Sequence, residues 1–158
     1  MIQINPIRSA IVKGLKAFTG ATTILSEQNA PQPKYPFISV KITLLGQKKG
    51  HASVVVEGSE SVHAQQIEMT LSVSCYGATT LSTEELVCKT LQYFEVDGIQ
   101  PLQDQNIVIV RTSPITDRTT FLTTDYEYKM GFDVTIRAVA VVTKELQETI
   151  ESTEIGGL

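Results

Sequence analysis

The chain has 158 residues, of which 42% are hydrophobic and 19% charged, and its formal net charge at pH 7 is −4. This length fits a single domain over residues 1–158 that buries a core without disulfide bonds or a metal. No apolar run is long enough to span a membrane, the N-terminus lacks a signal-peptide pattern, and the acidic balance argues against a dedicated DNA-binding protein. Cys75 and Cys88 have no CxxC spacing and are predicted to be small core residues in a reducing compartment.

The first predicted element is an amphipathic helix that begins at Asn5 and Pro6 and ends at Gly20. Asn is a favoured N-cap residue, Pro is favoured at the first helical position, and Gly commonly follows a helix. One continuous stripe is apolar or small: Ile7, Ala10, Ile11, Gly14, Leu15 and Phe18. We expect this stripe to pack on a sheet, with Gly14 permitting close approach, and a short strand to follow at Thr22–Leu25.

A proline-rich segment, residues 29–36, comes next. Each proline fixes its own φ and pushes the preceding residue out of the helical region. We therefore predict a stiff, extended segment that sets the direction of the following strand, with Asn29, Pro31, Pro33 and Pro36 as its structural residues. Apolar and polar residues then alternate over residues 37–44, which predicts a half-buried strand.

Residues 46–66 are predicted to form a protruding hairpin or a long loop. The apolar run Val54-Val55-Val56 is short, and both of its flanks are polar and contain Gly. Long loops inside compact domains are usually functional or disordered. Two interpretations remain open: a solvated mobile loop, or an arm that becomes ordered by lying on a neighbouring subunit.

The most regular strand pattern lies between residues 66 and 76. Every second residue is apolar and is predicted to face the core: Ile67, Met69, Leu71, Val73 and Cys75. A turn leads to a second helix, for which Ser82 and Glu85 are the predicted capping box and Asp97-Gly98 the predicted end.

Two more strands are predicted in the C-terminal half. Residues 106–111 form a continuous apolar strand that we expect to be covered on both faces, and residues 115–124 form a Thr-rich link. Residues 128–143 form a long alternating strand with Gly131 as a bulge. Residues 144–158 form an acidic tail, for which a helix and an edge strand both remain open.

Long strands with one apolar face, together with single helices early and in mid-chain, predict an α+β fold. We expect a mainly antiparallel, twisted sheet of about four to six strands, with two helices on one face and a protruding hairpin or loop arm.

The sequence contains no constellation typical of catalysis or metal binding. His51 and His63 are the only histidines, and they lack the spacing of a zinc site. There is no G-x-S-x-G motif, no phosphate-binding loop and no dinucleotide fingerprint. Asp125, Glu127 and Lys129 are in an order that occurs in metal-dependent nucleases, but no second carboxylate-bearing strand accompanies them. We therefore predict that the chain is not an enzyme and uses no cofactor or metal.

Charge is unevenly distributed along the chain. Residues 1–50 carry seven Lys or Arg and one acid, whereas residues 51–158 carry six Lys or Arg and sixteen acids. Either these charges are simply solvated, or the basic face of one subunit meets the acidic face of the next in a head-to-tail contact that closes into a ring. Under the second interpretation the candidate interface residues are Lys48, Lys49, His51, Arg118, Lys129, Arg137, Glu145, Glu148 and Glu151.

The proline-rich segment also carries a resemblance to a known family. It reads Gln-Asn-Ala-Pro-Gln-Pro-Lys-Tyr-Pro over residues 28–36, and Asp117-Arg118, the run from Asp125 to Lys129, and Phe132-Asp133-Val134 follow late in the chain. This pattern resembles the phage neck and tail terminator proteins, in which a similar proline arm leads into the first long strand. Similar proteins usually have Arg where this chain has Lys129.

The resemblance implies a structural protein of a tailed phage, a prophage or a phage-derived contractile particle. Such proteins form a ring, usually of six copies, on the head-proximal end of the tail tube, where they end tube growth and join the tail to the head connector.

The implied partners are further copies of the chain, the tail tube and sheath proteins, and the head connector, without specific nucleic-acid binding and without a membrane. The implied location is the tail or neck of the virion, assembled in the cytoplasm of the bacterial host. The alternatives are another connector or baseplate component, and a non-viral ligand-binding or regulatory α+β domain.

Overall fold

The computed structural model describes residues 3–26 and 28–146. This part of the chain forms three α-helices and seven β-strands, which confirms the predicted α+β class. The helices are α1 (Ile4–Thr19), α2 (Thr80–Gln92) and α3 (Ile99–Gln103). The strands are β1 (Thr22–Leu25), β2 (Phe37–Glu57), β3 (Glu60–Gly77), β4 (Val108–Thr112), β5 (Thr116–Asp117), β6 (Thr120–Phe121) and β7 (Tyr126–Glu145).

The strands form one open, mainly antiparallel sheet, as predicted. Its strand order is β1-β2-β3-β7-β4, with the short strands β5 and β6 also paired to β7. Only the β1–β2 pair is parallel among these strands. The sheet has seven strands, above the four to six expected, because the predicted link over residues 115–124 pairs with β7 in two places and forms β5 and β6.

The hydrophobic core lies between one face of this sheet and the helices. Alternate residues of β3 and β7 point into it, and the stripe predicted on α1 covers them from above. The most deeply buried members include Ile11, Leu15, Met69, Val73, Phe94, Phe132 and Ile136. Full burial of one such aliphatic or aromatic side chain contributes about 1.5–3 kcal/mol, so this face supplies most of the hydrophobic stabilisation.

The first helix begins earlier than its sequence predicts. Gln3 occupies the N-cap position, without a side-chain capping hydrogen bond, so Asn5 is not the N-cap and Pro6 is the third helical residue. Proline is accepted there because the N–H groups of the first turn have no acceptor within the helix. The predicted end is confirmed: Gly20 has φ 74°, and its N–H donates to the Lys16 carbonyl at 2.9 Å.

The second helix also starts before the predicted capping box. Thr79 is the N-cap, its hydroxyl accepts from the Ser82 N–H at 3.1 Å, and the Ser82 hydroxyl accepts from the Thr79 N–H at 3.1 Å. Ser82 is therefore the third residue of the helix, and Glu85 takes no part in the cap. The regular helix ends at Gln92 and continues as a π-helical turn over Tyr93–Asp97, after which α3 follows unpredicted.

The strand predicted over residues 106–111 is an edge strand, so the expectation that both of its faces are covered is wrong. Among the strands that the structure describes, β4 pairs with β7 alone, and Val108 is 44% exposed. The residues of the apolar run differ in burial. Ile107 is buried in the core just before the strand begins, whereas Ile109 is partly buried and packs against the core.

A long ribbon extends beyond the helix-covered part of the sheet. β2 and β3 continue as a hairpin closed by Gly58 and Ser59, which agrees with the hairpin predicted over residues 46–66. β7 runs beside the hairpin to its tip, where Glu60 pairs with Glu145. We call residues 46–66 and 139–145 the arm. Glu145 ends β7, and of the predicted acidic tail only residues 144–146 lie within the described part of the chain.

Gly14 permits the close helix contact that the sequence predicts. A Cβ atom at this position would overlap the hydroxyl oxygen of Tyr93 and lie 2.9 Å from its Cζ. Tyr93 cannot easily retreat, because it is 4% exposed and packs against Phe18 and Phe94.

We therefore expect Gly14→Ala to destabilise the protein by about 1–2 kcal/mol, although Ala is about 1 kcal/mol better than Gly in an open helix. Urea unfolding monitored by circular dichroism measures this difference. Tyr93→Phe removes the nearest atom and should reduce the cost of the alanine. A Gly14→Ala variant more stable than the parent would contradict the contact.

Candidate interaction surface on the helix-free face and the arm

The sheet face opposite the helices is polar and charged. Directly paired residues of antiparallel strands place their side chains on the same face. The β3–β7 register therefore lines up Tyr76 with Lys129, Ser72 with Asp133, and Glu68 with Arg137. These pairs alternate with the core pairs along the two strands, so this face is fixed by the same register that builds the core.

Arg118 lies across the middle of this face. Its Nη1 donates to the hydroxyls of Ser72 at 2.8 Å and Ser74 at 2.9 Å, and its Nη2 lies 3.4 Å from the Asp133 carboxylate. The side chain is 26% exposed. This predicted interface residue therefore holds the β5–β6 segment on the sheet of its own subunit.

Gly131 is not a bulge, because the β3–β7 pairing passes through it without a register shift. A Cβ atom there would overlap the carbonyl oxygen of Val73 and lie 2.6 Å from Nη1 of Arg118. The glycine is required because the guanidinium group crosses the strand directly above it.

At the base of the arm, one carboxylate is surrounded by three cations. Glu68 is 3% exposed, and its Oε2 accepts from Arg137 Nη2 at 2.9 Å. Its Oε1 lies 3.8 Å from Lys49 Nζ and 3.9 Å from Arg111 Nη1, and it accepts no hydrogen bond within the described residues. We call Lys49, Glu68, Arg111 and Arg137 the root cluster. Three positive charges around one negative charge leave it with an excess of two.

The hydrogen bond from Arg137, followed by the charges of Lys49, Arg137 and Arg111, lowers the pKa of Glu68 against the opposing effect of its burial. The root cluster thus brings together two predicted interface residues, Lys49 and Arg137, and two that the sequence did not single out. The alternating pattern alone places Glu68 on the solvent-facing side of a strand, and only the pairing register reveals its partners.

At the other end of the same face, Lys129 is paired within the subunit. Its Nζ lies 3.5 Å from Glu127 and 5.8 Å from the ring centroid of Tyr76. Tyr76 stacks on Phe37 with 4.3 Å between the ring centroids.

The proline-rich segment, with Asn29, Pro31, Pro33 and Pro36, has no regular secondary structure in the described residues. Pro31 lines a cleft of about 380 Å³ together with Phe37, Tyr76 and Glu127.

The arm carries the remaining candidates that the structure describes. Lys48, His51 and Glu145 are all exposed there, whereas Glu148 and Glu151 lie outside the described residues. Exposed apolar side chains accompany them: Leu44, Leu45, Val54, Val55, Val56, Val139, Val142 and Leu146 lie on or next to the arm and are each 44–61% exposed. The strand register places these side chains on both faces of the arm. Exposed apolar side chains in such number are candidates for contact with another protein.

The histidines and the cysteines do not form a common site within the described residues. His63 Nε2 lies 3.2 Å from the Ser61 hydroxyl, and His51 is exposed elsewhere on the arm. Cys75 is buried as predicted, and its burial raises the pKa of the thiol to about 12, but Cys88 is exposed and is not a core residue.

Over residues 3–26 and 28–146, no group of three or more His, Cys, Asp or Glu side chains is arranged to hold a metal ion. In the same ranges none of the helices has both the length and the apolarity needed to cross a bilayer.

The family of the chain follows from comparison with known sequences. The family described as "Phage neck terminator protein" matches residues 9–158. The match covers nearly the whole chain, so the protein belongs to this family and is a structural component of a phage neck or tail. None of the curated proteins compared with the chain matches it.

Gly131→Ala should destabilise the protein by about 2–3 kcal/mol, because neither the Val73 carbonyl nor the buried strand can give way. Thermal and urea unfolding measure the loss. Adding Arg118→Ala should recover only part of it, since the backbone contact remains. Unchanged stability of Gly131→Ala would contradict the close approach of both the Val73 carbonyl and the Arg118 guanidinium group.

Glu68→Gln should lower stability at neutral pH more than at acidic pH. The folded-state pKa of Glu68 lies below its ordinary value of 4.5. The carboxylate therefore contributes stability that is fully present above that value and is lost as the pH falls through the folded-state pKa. Urea unfolding of both proteins between pH 7 and pH 3 measures the difference, and a difference that does not change with pH would contradict the ion cluster.

Proposed function

We propose that this protein forms a ring, with six copies as the expected number, on the head-proximal end of a phage tail tube. The ring ends tail polymerisation and presents its other side to the head connector. The proposal extends to assembly of the ring in the host cytoplasm and to contacts with the tube and, in a contractile tail, the sheath.

The observation that carries the proposal is the arm. A three-stranded ribbon outside the core gains little for an isolated subunit, since Val54, Val55 and Val56 remain 51–61% exposed on it. Burying these valines against another copy would contribute about 1.5 kcal/mol or more to the free energy of association for each fully buried side chain. In the proposed ring the arm of one copy lies on the core of the next, and such a contact joins unlike surfaces and is of the head-to-tail kind that closes rings.

The outer edge of β2 supports the same interpretation. β1 covers this edge only from Phe37 to Val40, and no other described strand pairs with it from there to Glu57. A long open edge with exposed valines is a template for pairing with another chain. A neighbouring subunit that covers it would explain why the strand continues so far beyond the core.

Another connector or baseplate component of the same particle would use the arm in the same way, and the composition of the assembly distinguishes it. Membership in a phage neck family argues against a non-viral ligand-binding or regulatory domain.

Size-exclusion chromatography with light scattering tests the proposal. With the tail tube protein of the same phage, we expect an assembly containing six copies of the 17.3 kDa chain, about 104 kDa of this protein. Electron microscopy should place the ring at one end of the tube. A strict monomer at high concentration, with and without the tube protein, would rule the proposal out.

The arm itself is tested by replacing exposed valines. Val54→Lys with Val56→Lys should weaken association by about tenfold or more, because two apolar contacts are lost and two charges are introduced. Leu81→Lys with Val96→Lys is the matched control, since both side chains are 65% exposed and lie outside the arm. Equal effects of the two changes would remove the arm from the interface.

A further inference from the structure

Three glutamates form a row across the tip of the arm. Glu57 pairs with Glu60 across the hairpin, and Glu60 pairs with Glu145 of β7. Directly paired residues share a face, so the three carboxylates point to the same side of the ribbon. We call Glu57, Glu60 and Glu145 the tip row.

The tip row is unfavourable in an isolated subunit. Like charges directly opposite one another on neighbouring strands are destabilising. All three side chains are exposed, and none forms an ion pair within residues 3–26 and 28–146. Lys144 precedes Glu145 in β7 and pairs with Ser61, but it points to the opposite face because successive residues of a strand alternate. In the described part of the chain, the row therefore lacks a cation that would offset its repulsion.

The root cluster has the opposite imbalance and lies on the same face. Glu60 and Glu68 are separated by eight residues of one uninterrupted ladder, so their side chains point to the same side. Lys49 and Arg111 face solvent, with exposed side-chain fractions of 40% and 65%, and neither approaches Glu68 closely enough for a good hydrogen bond. The cluster has positive charge left over and donors available for another carboxylate.

The two sites cannot meet within one subunit. Eight residues of extended strand separate them by about 26 Å. The uninterrupted β3–β7 pairing over this stretch holds Glu60 and Glu68 apart at that spacing. An apolar section lies between, in which Val55 pairs with Val62 on the same face. Each subunit thus presents an acidic end, an apolar middle and a basic end along one surface.

We propose that the tip row of one copy docks on the root cluster of a second copy, with Glu57 and Glu60 accepting hydrogen bonds from Lys49 and Arg111. The occupant is a second copy because both complementary surfaces belong to the same chain, and a nucleic-acid phosphate at the root cluster would leave the tip row unpaired. The inference rests on the proposed function only in that copies of this chain assemble with one another.

Charge reversal at each end tests the contact. The tip variant carries Glu57→Lys and Glu60→Lys, and the root variant carries Lys49→Glu and Arg111→Glu. Each variant alone should associate at least about tenfold more weakly than the parent, because like charges then meet across the contact. Glu84→Lys with Glu85→Lys is the matched control: it changes the net charge as the tip variant does, on exposed positions of α2, and should associate as the parent does.

Mixing the two variants provides the decisive measurement. A lysine tip fits a glutamate root, and a parental tip fits a parental root, so an equimolar mixture should recover the parental assembly with the variants alternating. Light scattering gives the mass, and a tag on one variant shows co-purification of the other. Circular dichroism melting confirms that each variant is folded. If the added acids prevent the root variant from folding, Lys49→Gln with Arg111→Gln replaces it. This neutral variant should associate more weakly than the parent, and mixing it with the tip variant should not recover the assembly.

The outcomes separate the two proposals. Recovery in the mixture supports the tip-to-root contact, whatever the number of copies. Variants that associate as tightly as the parent, or that fail both alone and mixed, overturn the contact while a parental ring leaves the proposed function standing. A parental protein that never associates, even with tube protein, overturns both.

Discussion

The uninterrupted ladder between β3 and β7 is the constraint on which the rest of the molecule depends. It pairs every residue from Glu60 to Gly77 with one from Tyr128 to Glu145 without a register shift. A slip of one residue would exchange the two faces of the strand. It would bring Glu68 into the core and separate it from the cations that surround it. Core packing, the Arg118 bridge and the root cluster therefore all specify the same register.

The sequence predicts the elements that express this register locally. The alternation around Met69 and Val73 identifies an inward face, and that face is buried as predicted. What it cannot predict is which residues become neighbours across strands. Gly131 resembles a bulge until Arg118 is placed above it, and Glu68 resembles a solvated residue until Arg137 is placed opposite. Both misjudgements concern contacts between residues that are distant in the chain.

Other errors have a local origin. The predicted capping box of α2, Ser82 and Glu85, is wrong because Thr79 and Ser82 form the reciprocal capping hydrogen bonds instead. Both residue pairs are suited to these bonds, and only the path of the turn decides between them. The continuous apolar run over residues 106–111 predicts a strand that is covered on both faces. In fact Ile107 serves the core before the strand starts, while Val108 lies on an open edge. Apolar content alone does not distinguish an edge strand from a central one.

The division of the chain into a helix-covered core and an uncovered arm has a physical consequence for assembly. The core is stabilised by burial within the subunit, whereas the arm is held mainly by backbone pairing and leaves its valines in water. An exposed edge of this kind risks indiscriminate pairing, and charged side chains are a common means of preventing it. The glutamates of the tip row are placed to repel one another when two arms approach tip to tip. In the proposed contact the same charges are favourable only when a tip row meets a root cluster. The repulsion between two tip rows therefore disfavours tip-to-tip pairing and favours tip-to-root pairing.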